Sequence, residues 1–198
     1  MSHDWKSVGV KATIGKRRPK DSRNAARLLK RLESMATGKL LNISLTLLRF
    51  LLAAWVGAAV LYVITSVAEQ VSPNFDSRTR DQLATIRFPI YYQFGACLYV
   101  GTAILAIIVW QCLPGLRRST AVLALIVVSG AIFTWDYFQI YLPLQDLIIP
   151  AGQVRTQEFV RLHTLSRNVN MLHLSLMLLS GLLICMPLPA AHKEADAS

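Results

Sequence analysis

The sequence is poor in charge and in cysteine, and it lacks a recognisable leader. Only 16% of its 198 residues are charged and 54% are hydrophobic, whereas about a quarter of the residues in ordinary soluble domains are charged. The three cysteines all lie in apolar runs and form no Cys-x-x-Cys pair, so we expect them to pack as small hydrophobic side chains. No short apolar segment with a cleavage site precedes the first long apolar run, which we therefore expect to be retained as a membrane anchor.

Motifs of soluble enzymes and of metal sites are also missing. The chain contains no nucleophile elbow, phosphate loop or dinucleotide fingerprint, which argues against familiar soluble-enzyme catalysis. No His-x3-His pair occurs, and His163 and His173 lie about 15 Å apart along one helix, too far to ligate one metal ion from that helix. The sequence thus predicts no catalytic residue, no metal site and no cofactor. Haem or copper bound through these histidines is the alternative.

Four long apolar runs occupy most of the remaining chain. A membrane-spanning helix needs about 20 mostly apolar residues, and these runs predict helices at about residues 40–68, 88–113, 119–142 and 156–186. The last helix is expected to begin at Thr156, a capping residue, well before its apolar part. The tight turn at residues 114–118 allows only antiparallel neighbours. The predicted fold is therefore an all-α membrane protein, an antiparallel bundle of four transmembrane helices at residues 40–187.

Most of the positive charge lies in an N-terminal arm at residues 1–39. This arm has eleven Lys and Arg against three acidic residues, which gives it +8 of the chain's net +10. Residues 22–37 have apolar side chains at helical spacing, which predicts an amphipathic helix, and Gly38 is expected to permit a break after it. The basic residues expected to contact anionic lipid headgroups are Arg23, Arg27, Lys30 and Arg31.

The alternative role of these charges is to set membrane topology only. Nucleic-acid binding is not expected, because no folded recognition module or stacking aromatic residue accompanies the arm. With the N-terminus in the cytoplasm, fourteen Lys and Arg flank the cytoplasmic ends of the helices and six flank the opposite ends. Both termini are therefore predicted to be cytoplasmic in a multi-pass integral membrane protein. Residues 188–198 are short and polar and are expected to form a disordered tail.

A carboxylate inside the third apolar run is the first candidate functional residue. Asp136 lies there, and such groups usually face a bundle interior or a water-filled cavity because their burial in lipid is costly. A protonated Asp136, or one that reaches the outer headgroups, is the alternative. Asp136 and His173 are expected to lie at similar depths in the membrane. We therefore predict that Asp136 approaches the fourth helix, with His173 or Asn170 as its nearest polar partner and Arg167 as the alternative counter-ion.

Polar residues also form a stripe along the fourth helix. They recur at spacings of three, four and three, which puts them on one helical face; they are His163, Ser166, Asn170 and His173. One interpretation is a binding cluster, which this stripe forms together with Asp136, Arg161 and Arg167. The other is interhelical hydrogen bonding, worth about 0.6 kcal/mol for each bond.

Two motifs resemble those of a known family. Arg161-x-His163-x-x-Ser166-x-x-x-Asn170 resembles the signature of the transmembrane protein 205-like family, and Phe88-Pro89-Ile90-Tyr91-Tyr92 resembles that family's Phe-Pro-x-Tyr-aromatic motif. A third helix that ends near a proline, here Pro143, also fits. The resemblance covers roughly residues 45–187. It implies a four-helix membrane domain without an established biochemical activity.

The expected function is non-enzymatic. The sequence predicts a membrane protein that binds or passes a small solute, or that is a partner in a larger membrane assembly, either with another membrane protein or with its own copies. One alternative is a haem- or copper-associated protein that uses the outer-half histidines. Another is a purely structural membrane subunit.

Overall fold

The computed structural model describes residues 19–187, and this part of the chain is helical without any β-strand. Four helical stretches in it are long and apolar enough to cross a membrane. The basic residues before Pro19, the predicted disordered tail at residues 188–198 and the side chain of Arg23 lie outside the described part.

The first helix, α1, extends from Pro19 to Val71 without interruption. The predicted break at Gly38 is therefore wrong. A single glycine inside a helix costs only about 1 kcal/mol relative to alanine, whereas a break would leave several backbone groups without their helical partners. The residues up to Gly38 and those from Lys39 onward form two separate compact units.

The N-terminal unit presents both apolar and basic side chains at its surface. Its exposed apolar residues include Leu28, Leu29, Leu32 and Met35. Its exposed basic residues include Arg27, Lys30 and Arg31. The segment is helical as predicted, and its amphipathic character stays a prediction.

The second helix, α2, comprises Ser77–Cys112 and begins well before the predicted start at residue 88. Hydropathy marks only where this helix becomes apolar, and its polar first turns are capped by Asp76. The Asp76 Oδ1 atom accepts a hydrogen bond from the Thr79 N–H at 2.8 Å. Hydrogen bonds from the Thr79 side chain and backbone lower the pKa of the Asp76 carboxyl below its usual value.

The third apolar run is one helical stretch with three parts. These are α3 (Arg117–Asp136), a π-helical segment (Tyr137–Tyr141) and α4 (Leu142–Asp146). The predicted end at residue 142 is therefore wrong. The Leu142 N–H bonds to the Tyr137 carbonyl, so the hydrogen-bond register shifts immediately before Pro143, a residue that has no N–H to donate.

The last helix, α5, comprises Gln157–Cys185. The Thr156 hydroxyl caps it by accepting a hydrogen bond from the Phe159 N–H at 3.1 Å. This start agrees with the capping position predicted from the sequence. The helix consequently includes a polar first half before its apolar part.

The main buried cluster joins α1, α2, α3 and α5. Its buried members are Leu45, Leu48, Leu52, Trp55, Ala106, Val109, Val122, Ile126, Met177 and Ile184. The indole of Trp55 packs closely on α2 at Gly95, where an added Cβ atom would lie 2.3 Å from Trp55 Cη2. The absence of a side chain at Gly95 therefore makes room for the largest side chain of the core.

Arginines contact backbone carbonyls where α5 ends. The Arg49 guanidinium donates from Nε and Nη2 to the Ile184 carbonyl at 3.1 and 3.0 Å. Arg118 Nη1 donates to the Pro187 carbonyl at 2.9 Å. The last carbonyls of a helix lack helical partners and carry partial negative charge, so cations are favoured there.

An ion pair with a buried carboxylate connects α2 to the segment between α4 and α5. Asp81 Oδ2 accepts the Gly152 N–H at 2.8 Å, and Asp81 Oδ1 accepts a hydrogen bond from Arg155. The Arg155 guanidinium also lies over the Phe159 ring, 4.2 Å from its centroid. The sequence analysis did not predict this pair.

Candidate functional site

A cavity of about 520 Å³ lies between α1, α2, α4 and α5. This volume falls within the range of about 300–1,000 Å³ that is typical of small-molecule pockets. Residues from α1 and α2 form one wall, which is largely aromatic and apolar. Residues from α5 form the other wall, which carries most of the polar groups. The cavity therefore has an amphipathic lining.

The aromatic wall contains most of the motif predicted at the start of the second apolar run. Phe88, Tyr91 and Tyr92 line the cavity. Tyr62 of α1 stacks on Tyr91 with ring centroids 4.4 Å apart. The remaining motif residue, Pro89, is half-buried in α2 and does not line the cavity.

The polar wall contains the whole stripe predicted on the last helix, together with Arg167. His163, Ser166, Arg167, Asn170 and His173 all line the cavity. Asn170 Nδ2 donates a hydrogen bond to Ser166 Oγ at 3.2 Å. The remaining candidate on this helix, Arg161, is exposed and is not part of the lining.

His173 lies at the buried end of the polar wall and is only 3% exposed. Its ring is surrounded by aromatic rings, with centroid distances of 5.3 Å to Trp55 and 5.6 Å to Phe133. Within residues 19–187, neither His173 Nε2 nor Trp55 Nε1 has a hydrogen-bond partner, although both atoms are buried. Buried polar atoms nearly always have a partner, which includes water or a ligand.

Asp136 is buried as expected, but its predicted partner is wrong. Its side chain is 1% exposed, and its Oδ2 atom accepts a hydrogen bond from the Tyr92 hydroxyl of α2 at 2.5 Å. Arg167 is not its counter-ion, because the ion pairs among the described residues are Arg87–Glu69 and Arg155–Asp81. Depth in the membrane does not specify the direction in which a side chain leaves its helix, and Asp136 is directed towards α2.

The π-helical segment follows Asp136 directly and packs on the same tyrosine. The Tyr92 ring centroid lies 5.2 Å from that of Tyr137 and 4.3 Å from that of Tyr141. Single π-helical turns often occur at functional sites. Here the segment packs on Tyr92, whose hydroxyl is bound by Asp136, and Asp136 does not itself line the cavity.

The possible ligands for a metal or haem are dispersed. No group of three or more His, Cys, Asp or Glu side chains in residues 19–187 has a geometry that holds a metal ion. His163 and His173 line one cavity at different depths, and the His163 ring stacks on Phe159 at 5.7 Å. The cysteines are free thiols, with Cys97 and Cys185 exposed.

The sequence analysis missed the whole α1 part of the cavity wall. It includes Trp55, Tyr62 and Ser66. An aromatic residue in an apolar helix is typical of packing or of the membrane interface, so its residue type alone gives no sign of a site. A helical spacing of seven between Trp55 and Tyr62 is the only available signal, and it is equally typical of a core face.

No family model, curated protein or solved structure matches this chain. The candidate site therefore rests on the geometry of the cavity. Membership of the transmembrane protein 205-like family stays a prediction from the two motifs.

Proposed function

We propose that the chain is an antiparallel bundle of four transmembrane helices that binds a small molecule in the cavity between α1, α2, α4 and α5. The amphipathic lining of this cavity is the observation that carries the proposal. Ligand sites are mostly apolar with a few convergent polar groups, and the two predicted motifs contribute to opposite walls. The unpartnered Nε2 atom of His173 supports a bound hydrogen-bonding group, because such an atom costs about 1–3 kcal/mol when it stays unsatisfied.

Contacts at the helix ends support the antiparallel arrangement. Arg49 of α1 and Arg118 of α3 both donate hydrogen bonds to carbonyls where α5 ends. The side of the bundle away from the core carries large exposed apolar side chains, among them Leu61, Val100 and Val127. A bilayer is the solvent in which such a surface is favourable.

A cavity-filling variant tests the binding proposal. Ala59 is a buried wall residue of α1, and Ala59→Phe places a ring in the cavity, whereas Ala53 is exposed on the same helix. We expect an organic molecule to co-purify with the wild-type protein and with Ala53→Phe, and to fall at least tenfold in Ala59→Phe. Mass spectrometry of solvent extracts measures its amount, and thermal unfolding identifies a variant that fails to fold.

Other outcomes of this experiment favour the other functions. If no molecule is more abundant in the wild-type protein than in Ala59→Phe, the cavity holds only water. A structural membrane subunit or an assembly partner is then favoured. A Soret absorbance band, or stoichiometric copper in the same sample, would favour the haem- or copper-associated alternative that uses His163 or His173.

We further propose that both termini are cytoplasmic and that the N-terminal unit binds anionic lipid headgroups. The exposed Arg27, Lys30 and Arg31, next to exposed leucines, support this role. Each basic residue near an anionic surface contributes about 1 kcal/mol of binding.

Single-cysteine labelling tests the orientation. In a background without native cysteines, we expect an impermeant maleimide outside the cell to label Asn74→Cys and not Arg117→Cys, both of which replace exposed residues. Reversing the charges of Arg27, Lys30 and Arg31 is expected to produce a fraction of inverted molecules. Outside labelling of Arg117→Cys alone would contradict the proposed orientation.

A further inference from the structure

We infer that the ligand of the cavity is a single-chain amphipathic anion, with its carboxylate or phosphate head at Arg167 and its apolar chain along the aromatic wall. This inference rests on the proposed function. It adds the chemical class of the ligand, the orientation in which it binds and its source in the bilayer.

The charge of the lining selects an anion. The cavity wall contains one arginine, Arg167, and no Asp or Glu. Of the nearby acidic groups, Glu69 pairs with Arg87, and Asp136 lies behind the wall, where it accepts a hydrogen bond from Tyr92 and does not line the cavity. Arg167 has no ion-pair partner among the described residues. A guanidinium in that situation favours a carboxylate or phosphate, which it binds through paired N–H groups.

The polarity of the cavity changes along its length, which orients the ligand. Its α5 wall begins with the exposed residues His163 and Arg167 and ends at the buried His173. Opposite, the α1 wall extends from Val67 to Trp55, a distance of about 18 Å at 1.5 Å per residue. An elongated molecule therefore has its charged end at Arg167 and its chain beside Trp55. A water molecule or a polar group on the chain then forms the hydrogen bond that His173 Nε2 lacks.

A second, shallow groove gives the ligand a route from the lipid. It has a volume of about 320 Å³ on the outer face of α1 and α2 and is lined mainly by apolar residues, including Leu61, Ile90 and Phe94. Tyr62 and Tyr91 belong to both the groove and the cavity, so their stacked rings form the partition between them. An apolar chain dissolved in the bilayer would reach the cavity by displacing this pair.

Fluorescence of Trp55 tests the inference directly. A chain retaining only this tryptophan, with Trp5, Trp110 and Trp135 replaced by phenylalanine, is placed in zwitterionic nanodiscs. Bromine quenches indole fluorescence only at short range, and Trp55 is 1% exposed, so probes in the surrounding lipid do not reach it. The probes are 11-bromoundecanoate, 11-bromo-1-undecanol and 11-bromoundecyl-trimethylammonium, which differ only in their heads.

We expect the acid to quench Trp55 at a concentration about tenfold lower than the alcohol, and the cation to be the weakest. Arg167→Gln should raise the concentration of acid required about tenfold, as expected for the loss of a hydrogen bond to a charged group. Arg161→Gln is the matched control, because Arg161 is an exposed arginine of the same helix outside the lining, and it should change nothing. A chain that retains only Trp135, which is exposed, reports the probe dissolved in lipid.

The quenching experiment distinguishes a failure of this inference from a failure of the proposed function. If no probe quenches Trp55, no small molecule enters the cavity and the proposed function is overturned as well. If all three probes quench it equally, if the cation is best, or if Arg167→Gln behaves as wild type, binding stands and the anionic head is refuted. Competition by acetate as strong as that by undecanoate would assign the site to a free anion and overturn the amphipathic ligand.

Discussion

Replacing Trp55 with alanine is expected to lower the free energy of unfolding by about 4 kcal/mol, within the range of about 3–5 kcal/mol for a large aromatic side chain in a core. Trp55 is buried among α1, α2, α3 and α5, and its ring contacts Tyr91, Phe133 and His173 at centroid distances of 5.9, 5.6 and 5.3 Å. Its removal enlarges the cavity of about 520 Å³ that Trp55 lines. Equilibrium unfolding in mixed detergent micelles measures the loss.

Gly95, which accommodates the indole, supplies the control, because Gly95→Ala should change stability in opposite directions with and without Trp55. In the wild-type protein, Gly95→Ala is expected to destabilise by about 2 kcal/mol because its Cβ overlaps the Trp55 ring. In the Trp55→Ala background the overlap is gone, and the same substitution should stabilise by up to about 1 kcal/mol through higher helix propensity. Equal effects of Gly95→Ala in both backgrounds would mean that the two residues are not in contact.

Replacing Arg155 with glutamine is expected to cost about 3 kcal/mol, because it leaves the Asp81 carboxylate buried without its cation. The Asp81 side chain is only 2% exposed, whereas that of Arg155 is 34% exposed. Asp81→Asn should therefore cost less, about 2 kcal/mol, since water can solvate the remaining guanidinium. The order of the two effects, measured by the same unfolding experiment, identifies which partner is buried.

The pair formed by Glu69 and Arg87 is the matched control for this prediction. Both of its side chains are partly exposed, and exposed pairs contribute only about 0.2–1 kcal/mol. Glu69→Gln is therefore expected to cost much less than Arg155→Gln. A cost as large as that of Arg155→Gln would show that exposure does not determine the strength of these pairs.

Local features of the helices could be predicted from the sequence. The apolar runs indicated four helices, and the residue type of Thr156 indicated where the last one begins, because capping depends on the residue and its immediate neighbours. Helical spacing also grouped His163, Ser166, Asn170 and His173, which do line one cavity. The start of α2 at Ser77 was missed, because hydropathy marks only where this helix becomes apolar and its first turns are polar.

The sequence by itself determined four apolar helical stretches, the polar stripe on the last of them and the position of the basic residues, because hydropathy, helical period and charge are local properties. Only the tertiary structure decided that Tyr92 is the partner of Asp136, that Gly95 accommodates Trp55 and that an aromatic wall faces the polar stripe. These outcomes depend on how each helix is rotated about its own axis. That rotation is set by packing between side chains distant in the chain, which no local pattern encodes.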